Sequence, residues 1–255
     1  MADNIHLVIP DSHAHPNFNN KRYTYLGHLI SDIKPDVVID IGDWWDMPSL
    51  NSFDTKGKKY FEGRNYKKDI EAGLDANDRM LTIIRRKKRK LPRFVRCLGN
   101  HEYRIIKAIE NDPVLDGTIG LDDLCSGDFG WEEHSFLQPI EIDGIHYSHY
   151  FIAGVSGKAL GGVNHARALV LKYHRSVTQG HSHLHDHSIV TDVGGVKLHG
   201  CVVGCYQDYE SDWAGPANIL WDAGVVIKRG VNNGQYDLEW VSMKRIVEAY
   251  KNCGD

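Results

Sequence analysis

Phe94-Val95-Arg96-Cys97-Leu98-Gly99-Asn100-His101-Glu102 is the stretch from which the rest of the chain can be ordered. Its first four residues form a mainly apolar run of strand length, and Gly99 closes it with a turn. An amide and an imidazole then stand side by side where a sheet strand runs out, the edge at which open α/β sheets place ligands. Asparagine offers a metal a neutral oxygen, and the adjacent His101 can hold or release a proton near neutral pH.

Working back from this stretch, two units of the same kind precede it. Ile5 to Ile9 reads as a strand broken by Pro10, followed by Asp11-Ser12-His13-Ala14-His15. Side chains two apart on extended backbone point the same way, so Asp11 and His13 can reach one ion; in isolation, a turn with a capping aspartate reads better. Leu26, Leu29, Ile30 and Ile33 then recur with helical period up to Lys34-Pro35, and Asp36 to Ile41 is a second buried strand ending in Gly42-Asp43. Strand, helix, strand in this order implies parallel pairing with a right-handed crossover. Asp11 and Asp43 therefore belong beside each other at one sheet edge, where two carboxylates repel unless a cation sits between them. Asp46 reads as the cap of the next turn rather than as a ligand.

Between the second and third units lies a long departure from this rhythm. Residues 47 to 64 are a polar excursion, and a helix is expected from about Asn65 to Lys90, with Ile70, Leu74, Asn77, Leu81 and Ile84 on one face. It ends in Arg85-Arg86-Lys87-Lys88-Arg89-Lys90, six cations in a row. Such a run is usually a solvated helix end that complements the dipole; the sharper reading is a contact for a nucleic-acid backbone.

Beyond Glu102, Arg104 to Ile109 suggests a short helix, and Arg104 reads as a phosphate clamp or a surface ion pair. Residues 111 to 135 carry few periodic signals, and Trp131 there would plug a local cluster. Phe136 to Ile142 and Ile145 to Tyr150 form a hairpin through Asp143-Gly144. His149 is preferred to His146 as a ligand because it lies nearer the strand end. A helix with Val163, Ala166, Val170 and Tyr173 on one face follows Gly161-Gly162. A strand over Ser176 to Gln179 then leads to Gly180-His181-Ser182-His183, with His185 and His187 close behind. Ile189 to Val193, Val196 to Val203, Ile219 to Lys228 and Gln235 to Val241 are strand-rich and suggest a second sheet packed on the first. The expectation is an α/β fold with two mixed sheets flanked by helices, one domain over 1–255 carrying a helical and basic insertion at about 47–92.

Composition narrows the function classes. With 42% hydrophobic and 25% charged residues the chain is neither disordered nor fibrous, and a net charge of -4 argues against a general polyanion binder. Five cysteines without a Cys-x-x-Cys pair fit free thiols in a reducing cytoplasm. The start of the chain lacks a basic leader, and no apolar run approaches the roughly 20 residues that span a bilayer. A cytoplasmic protein is expected.

Collected, the strand-end residues are Asp11, His13, Asp43, Asn100, His149, His181 and His183, an oxygen and nitrogen set without thiolate. It suits Mn, Fe, Zn or Ni rather than Ca or Mg alone. Seven ligands are too many for one ion that keeps an open position, but enough for two divalent ions sharing a carboxylate. Two metals about 3.5–4 Å apart can clamp a phosphoryl group and bring a water towards neutral pKa. His101 is left over to protonate the departing alkoxide. Arg104, Asn100 and His15 are the candidates for substrate binding.

Asp11-x-His13, Gly42-Asp43, Gly99-Asn100-His101-Glu102, His149 and Gly180-His181-x-His183 resemble, in order, the motifs of calcineurin-like metallophosphoesterases over roughly residues 5 to 185. The resemblance implies a four-layer αββα sandwich. It implies one ion on Asp11, His13, Asp43 and His183, and another on Asp43, Asn100, His149 and His181, with Asp43 bridging. His101 would be the leaving-group acid. Protein Ser/Thr phosphatases of that superfamily continue the second motif as Gly-Asp-x-x-Asp-Arg-Gly, whereas this chain reads Gly42-Asp43-Trp44-Trp45-Asp46-Met47-Pro48, which lowers the protein-phosphatase reading. The excursion and basic helix are loosely similar to phage-encoded or bacterial phosphoesterases of nuclease-like kind. Phosphodiesters of nucleotides or nucleic acid are therefore favoured as substrates, since basic side chains, Trp44, Trp45 and Tyr103 could stack a base, although each tryptophan alone reads better as core. The alternatives are a phosphomonoesterase acting on nucleotides or phosphoproteins, and a metal-binding scaffold without turnover.

Overall fold

The computed structural model describes residues 4–51, 61–87 and 90–253. Strands and helices alternate through the first half: β1 (His6–Ile9), α1 (Lys21–Ile33), β2 (Val37–Asp40), α2 (Tyr66–Arg86), β3 (Arg93–Cys97), α3 (Arg104–Asn111) and β4 (Trp131–His134). Strands β1 and β2 are buried at every position, as is β3 after Arg93, which is why they read as continuous apolar runs. Leu26, Leu29 and Ile30 bury one face of α1, and Lys34 ends it in left-handed conformation. Asn65 caps α2, its side-chain oxygen accepting the Lys68 N–H.

The second half supplies β5 (Ile140–Ile142), β6 (Ile145–Tyr147), α4 (His165–Tyr173), β7 (Ser176–Gln179), β8 (His185–Thr191), β9 (Lys197–Val203), β10 (Gly224–Asn232), β11 (Gln235–Ser242) and α5 (Met243–Tyr250). A six-stranded sheet has the order β11-β10-β1-β2-β3-β4, and a five-stranded sheet the order β5-β6-β7-β9-β8. Both are mixed. In the first, β1 to β4 are parallel and β10 runs antiparallel to β1. In the second, β6, β7 and β9 are parallel, and β5 and β8 are antiparallel edges.

Packing follows from which faces are apolar. Val8, Ile39 and Val95 of the first sheet meet Ile145, Tyr147 and Val203 of the second. On the outer face of the first sheet, Leu7, Ile9 and Val38 pack under α1, α2 and α5. Ala166 and Leu169 of α4 cover Val177 and Val202 on the other outer face. The layers are thus helix, sheet, sheet, helix, the arrangement that the resemblance implied.

Four details differ from the reading of the sequence. Strands β10 and β11 complete the first sheet rather than the second, because periodicity identifies a strand without naming its neighbour. Residues 131–134 are an edge strand, with Trp131 packed on Phe94 at 5.1 Å. Val163 precedes α4 and is exposed, so Leu169 takes its place on the buried face. Trp44 and Trp45 are fully buried and their Nε1 atoms donate to Gly73 O and Ile70 O, so neither can stack a base. They sandwich the buried Arg96 guanidinium, which is 4.8 Å from each ring and donates to Asp40 Oδ2 at 2.6 Å. Breaking such a pair by removing one partner costs about 3–5 kcal/mol.

Candidate metal centre

Parallel pairing brings the ends of β1, β2 and β3 to one edge of the first sheet, and the loops after β6 and β7 come to the same edge from the second. The loop after β1 lies along the loop after β2: His13 N donates to Asp43 O at 2.9 Å and Ala14 N to Trp44 O at 2.6 Å. Glu102 pins the second loop to the third. Its carboxylate accepts the N–H groups of Asp43 at 3.1 Å, Trp45 at 2.9 Å and Gly99 at 2.8 Å. Burial, then Asp43 and Asp40, pushes the Glu102 carboxyl up to about 7. A Cβ at Gly99 would overlap Asp43 Oδ1, and one at Gly180 would overlap Asp11 Oδ1, so both sites require glycine for close approach. His13, Asp43, His181 and His183 all have positive φ, between 46° and 70°. Non-glycine residues held there cost of order 1–3 kcal/mol each, and such strain concentrates at functional sites.

Among the described residues, three groups that could hold an ion result: one, His13, Asp46 and His101, overlaps another at His13, and the remaining two carry the expected ligands. Asp11, His13 and His183 offer atoms that all lie within 4.8 Å of one another, as do Asp43, His149 and His181. In the first, His13 Nε2 is 3.2 Å from His183 Nε2, which is 3.4 Å from Asp11 Oδ2. In the second, His149 Nε2 is 2.9 Å from Asn100 Oδ1, 3.3 Å from His181 Nδ1 and 3.3 Å from Asp43 Oδ2. The same Asp43 oxygen is 3.9 Å from His13 Nε2, so it stands between the groups. All seven residues expected as ligands are brought to one place.

The donor chemistry fits cations. His149 Nδ1 donates to Ile41 O and His13 Nδ1 to Asp46 Oδ1, so each ring turns an Nε2 lone pair towards the other acceptors. Lone pairs and carboxylate oxygens facing one another need a positive charge among them. In the ion-free chain a proton takes that role on His149: burial opposes it, but Asp43 and Asp11 push the imidazole up to about 9. His13 and His181 are pulled down to about 4, by burial first and then by His101 and His149 respectively, and so stay neutral. Asp43 is held well below the usual carboxylate range, because His101 and His149 outweigh its burial.

Asp46 is the residue that the sequence reading placed wrongly. It caps nothing: the 3-10 turn at Pro48–Leu50 has Met47 at its N-cap. Instead Asp46 Oδ1 is 2.9 Å from His13 Nδ1 and 3.3 Å from His101 Nδ1, and those hydrogen bonds hold its carboxyl well below the usual range despite burial. His101 Nδ1 also donates to Asp46 O at 2.6 Å, and Arg104 donates to the same carbonyl at 2.8 Å and to His101 Nε2 at 3.0 Å. Arg104 therefore sits at His101 rather than in a surface ion pair. His15 Nε2 lies 3.6 Å from Asp46 Oδ2 at the edge of the group.

Other candidates fall away. His146 pairs with Glu141 at 3.6 Å, His185 stacks on Trp240 at 4.3 Å, and His187 meets His199 at 3.2 Å. Of the basic run, Arg85, Arg86 and Lys87 end α2, and Lys87 and Lys90 lie with Arg93 at the start of β3, so these are at the sheet edge opposite the site. Lys88 and Arg89 are outside the described residues, as are 52–60 of the polar excursion. All five cysteines are free thiols, and no described helix is long and apolar enough to cross a membrane.

No protein-family model matches the chain, and no curated protein matches it. Among solved structures, one described as a novel archaeal phosphodiesterase is similar at 13% identity and a TM-score of 0.43, over 93% of this chain and 99% of that one. Another, 9% identical with a TM-score of 0.42, spans 94% of this chain and all of its own (100%). Both likenesses are loose, and the chemistry rests on the geometry of the site itself.

Proposed function

We propose that the chain is a dinuclear metal-dependent phosphoesterase of the calcineurin-like kind, acting by preference on phosphodiesters of nucleotides or nucleic acid. The observation that carries this reading is the position of Asp43 Oδ2 between two groups of imidazole and oxygen ligands, 3.3 Å from one and 3.9 Å from the other. Asp11, His13, Asp43 and His183 would hold one ion, and Asp43, Asn100, His149 and His181 the other. Two divalent ions, manganese foremost and iron, zinc or nickel as alternatives, supply Lewis acidity and a low-pKa water when bound.

The chain's own residues do the rest. His101, beside the ligands without belonging to either set, would carry the leaving group's proton on Nε2 once Arg104, which donates to that nitrogen here, turns to a phosphoryl oxygen. Asp46 orients His101 by accepting from Nδ1, and by the same carboxylate it fixes His13, so ligand and acid share one brace. Arg104, already 3.0 Å from His101 Nε2, is placed to take a phosphoryl oxygen. Diesters are favoured because rings flank the ligands on both sides, with Tyr150 4.7 Å from His181 and Trp221 4.2 Å from His183.

Hydrolysis of bis-p-nitrophenyl phosphate and p-nitrophenyl phosphate with manganese present tests the reading. Manganese-dependent turnover, faster on the diester, is expected. Bound manganese with no rate on either ester would leave a scaffold instead.

A further inference from the structure

Beside the ligand loops, a groove of about 660 Å³ runs between the turn that precedes α1 and the outer side of α2. His15 lines it and lies 3.6 Å from Asp46 Oδ2, so one side chain links the groove to the site. Next to His15, with ring centroids 5.2 Å apart, stands Phe18. At 40% exposure it is the sole aromatic among the large apolar side chains that are exposed in the described residues. One face of Phe18 lies flat on Tyr209, at 3.9 Å and 10° between planes, and the ring also lines the groove. Tyr209 is itself fixed: its hydroxyl donates to His13 O at 2.7 Å, and the Arg22 guanidinium lies 5.3 Å from its ring. The platform is thus anchored to the backbone of a ligand residue. The groove beyond it carries Asn17, Asn19, Lys21 and Lys68, together with Glu71 and with Asp75, whose carboxylate accepts from Arg79.

We propose that Phe18 is a stacking platform for the nucleobase of a nucleotide whose phosphate lies at the metal centre; the position of that phosphate rests on the reading above. A base has a flat π-face for the ring, and heteroatom edges for amide and ammonium groups. A lipid chain would want apolar lining, and a sugar phosphate alone would leave the ring idle. One imidazole separates Asp46 from Phe18, a gap that a ribose can cross.

The test is binding to the manganese-loaded protein by calorimetry, which needs no turnover. Adenosine 5′-monophosphate is expected to bind about ten- to a hundredfold tighter than ribose 5-phosphate, the range that alanine replacement of one stacked aromatic removes. Phe18→Ala should erase the difference while leaving ribose 5-phosphate unchanged, and Phe18→Tyr should keep it. Equal binding of the two ligands by the wild type, a preference that survives in Phe18→Ala, or binding of neither would each overturn the proposal. A short 5′-phosphorylated single strand separates the sources of the base: tighter binding than the mononucleotide assigns the platform to strand ends, equal binding to free nucleotides. If both ligands bind as expected and no ester is hydrolysed, the catalytic reading fails while the base subsite stands.

Discussion

At the strand-end loops, His13 and His149 each give one ring nitrogen to a protein oxygen and turn the other towards carboxylates and imidazoles. Inside the sandwich, His6 has both nitrogens engaged, Nδ1 with Tyr147 Oη at 2.8 Å and Nε2 with Asp143 Oδ2 at 2.9 Å, while His199 Nδ1 meets His187 and its ring lies 4.3 Å from that of Tyr236. Burial does not separate the two kinds, since His6 and His149 are both fully buried. Spacing does not either, because His185 and His187 repeat the interval of His181 and His183. The difference is convergence: the second ring nitrogens of His13, His149 and their neighbours meet one another around Asp11 and Asp43, whereas those of His6 end on separate partners.

Asp43→Asn attacks that convergence most directly. It should abolish turnover and strip metal from both groups, since the charge they share is gone; retained metal by elemental analysis would show that Asp43 does not bridge. His101→Ala comes next, with a fall of about 10²–10⁴ in kcat and full metal content, and a smaller fall on a p-nitrophenyl leaving group that needs no proton. Asp46→Asn should cost about 10- to 100-fold in manganese affinity or rate, as expected of a group that orients ligands. A turn cap would move only the melting temperature.

The two kinds of histidine should also part company with pH. Metal must displace the proton that Asp43 and Asp11 hold on His149 up to about 9. Manganese affinity measured by titration should therefore rise about tenfold per pH unit from 7 towards 9, then level; a flat profile would remove the proton from that site. His199 behaves oppositely: burial, then His187 and Lys228, pulls it to about 4 from 6.5. The unfolded chain takes up that proton first, so this contribution is complete above 6.5 and is lost as pH falls from 6.5 to 4. It amounts to on the order of 3 kcal/mol. Urea unfolding of the metal-free protein should show a shallower acid loss in His199→Asn than in the wild type.

Much of the first half was legible because its elements carry their own signals. β1, β2 and β3 are apolar runs ended by Pro10, Gly42 and Gly99, and α1 and α2 keep helical period on a buried face. The strand-end cluster was legible because polar residues directly after such runs have few other reasons to gather. What escaped depends on partners distant in sequence. Asp46 looks like a cap until the loop carrying His13 is laid against it. Glu102 reads as a motif letter until three N–H groups from two loops point at its carboxylate. Trp131-Glu132-Glu133-His134 has too little alternation to announce an edge strand, and only its pairing with Phe94 to Cys97 defines it. The membership of β10 in the first sheet is likewise a fact about His6, Leu7 and Val8, not about β10's own residues.

That membership has a consequence for synthesis. β1 lies between β2 and β10, and Tyr206 N donates to Asp11 O at 2.8 Å. Asp11, the earliest in sequence of the candidate ligands, is therefore among the last to be secured. Until some two hundred further residues have followed it, a nascent chain has the residues of the site without the scaffold that gathers them.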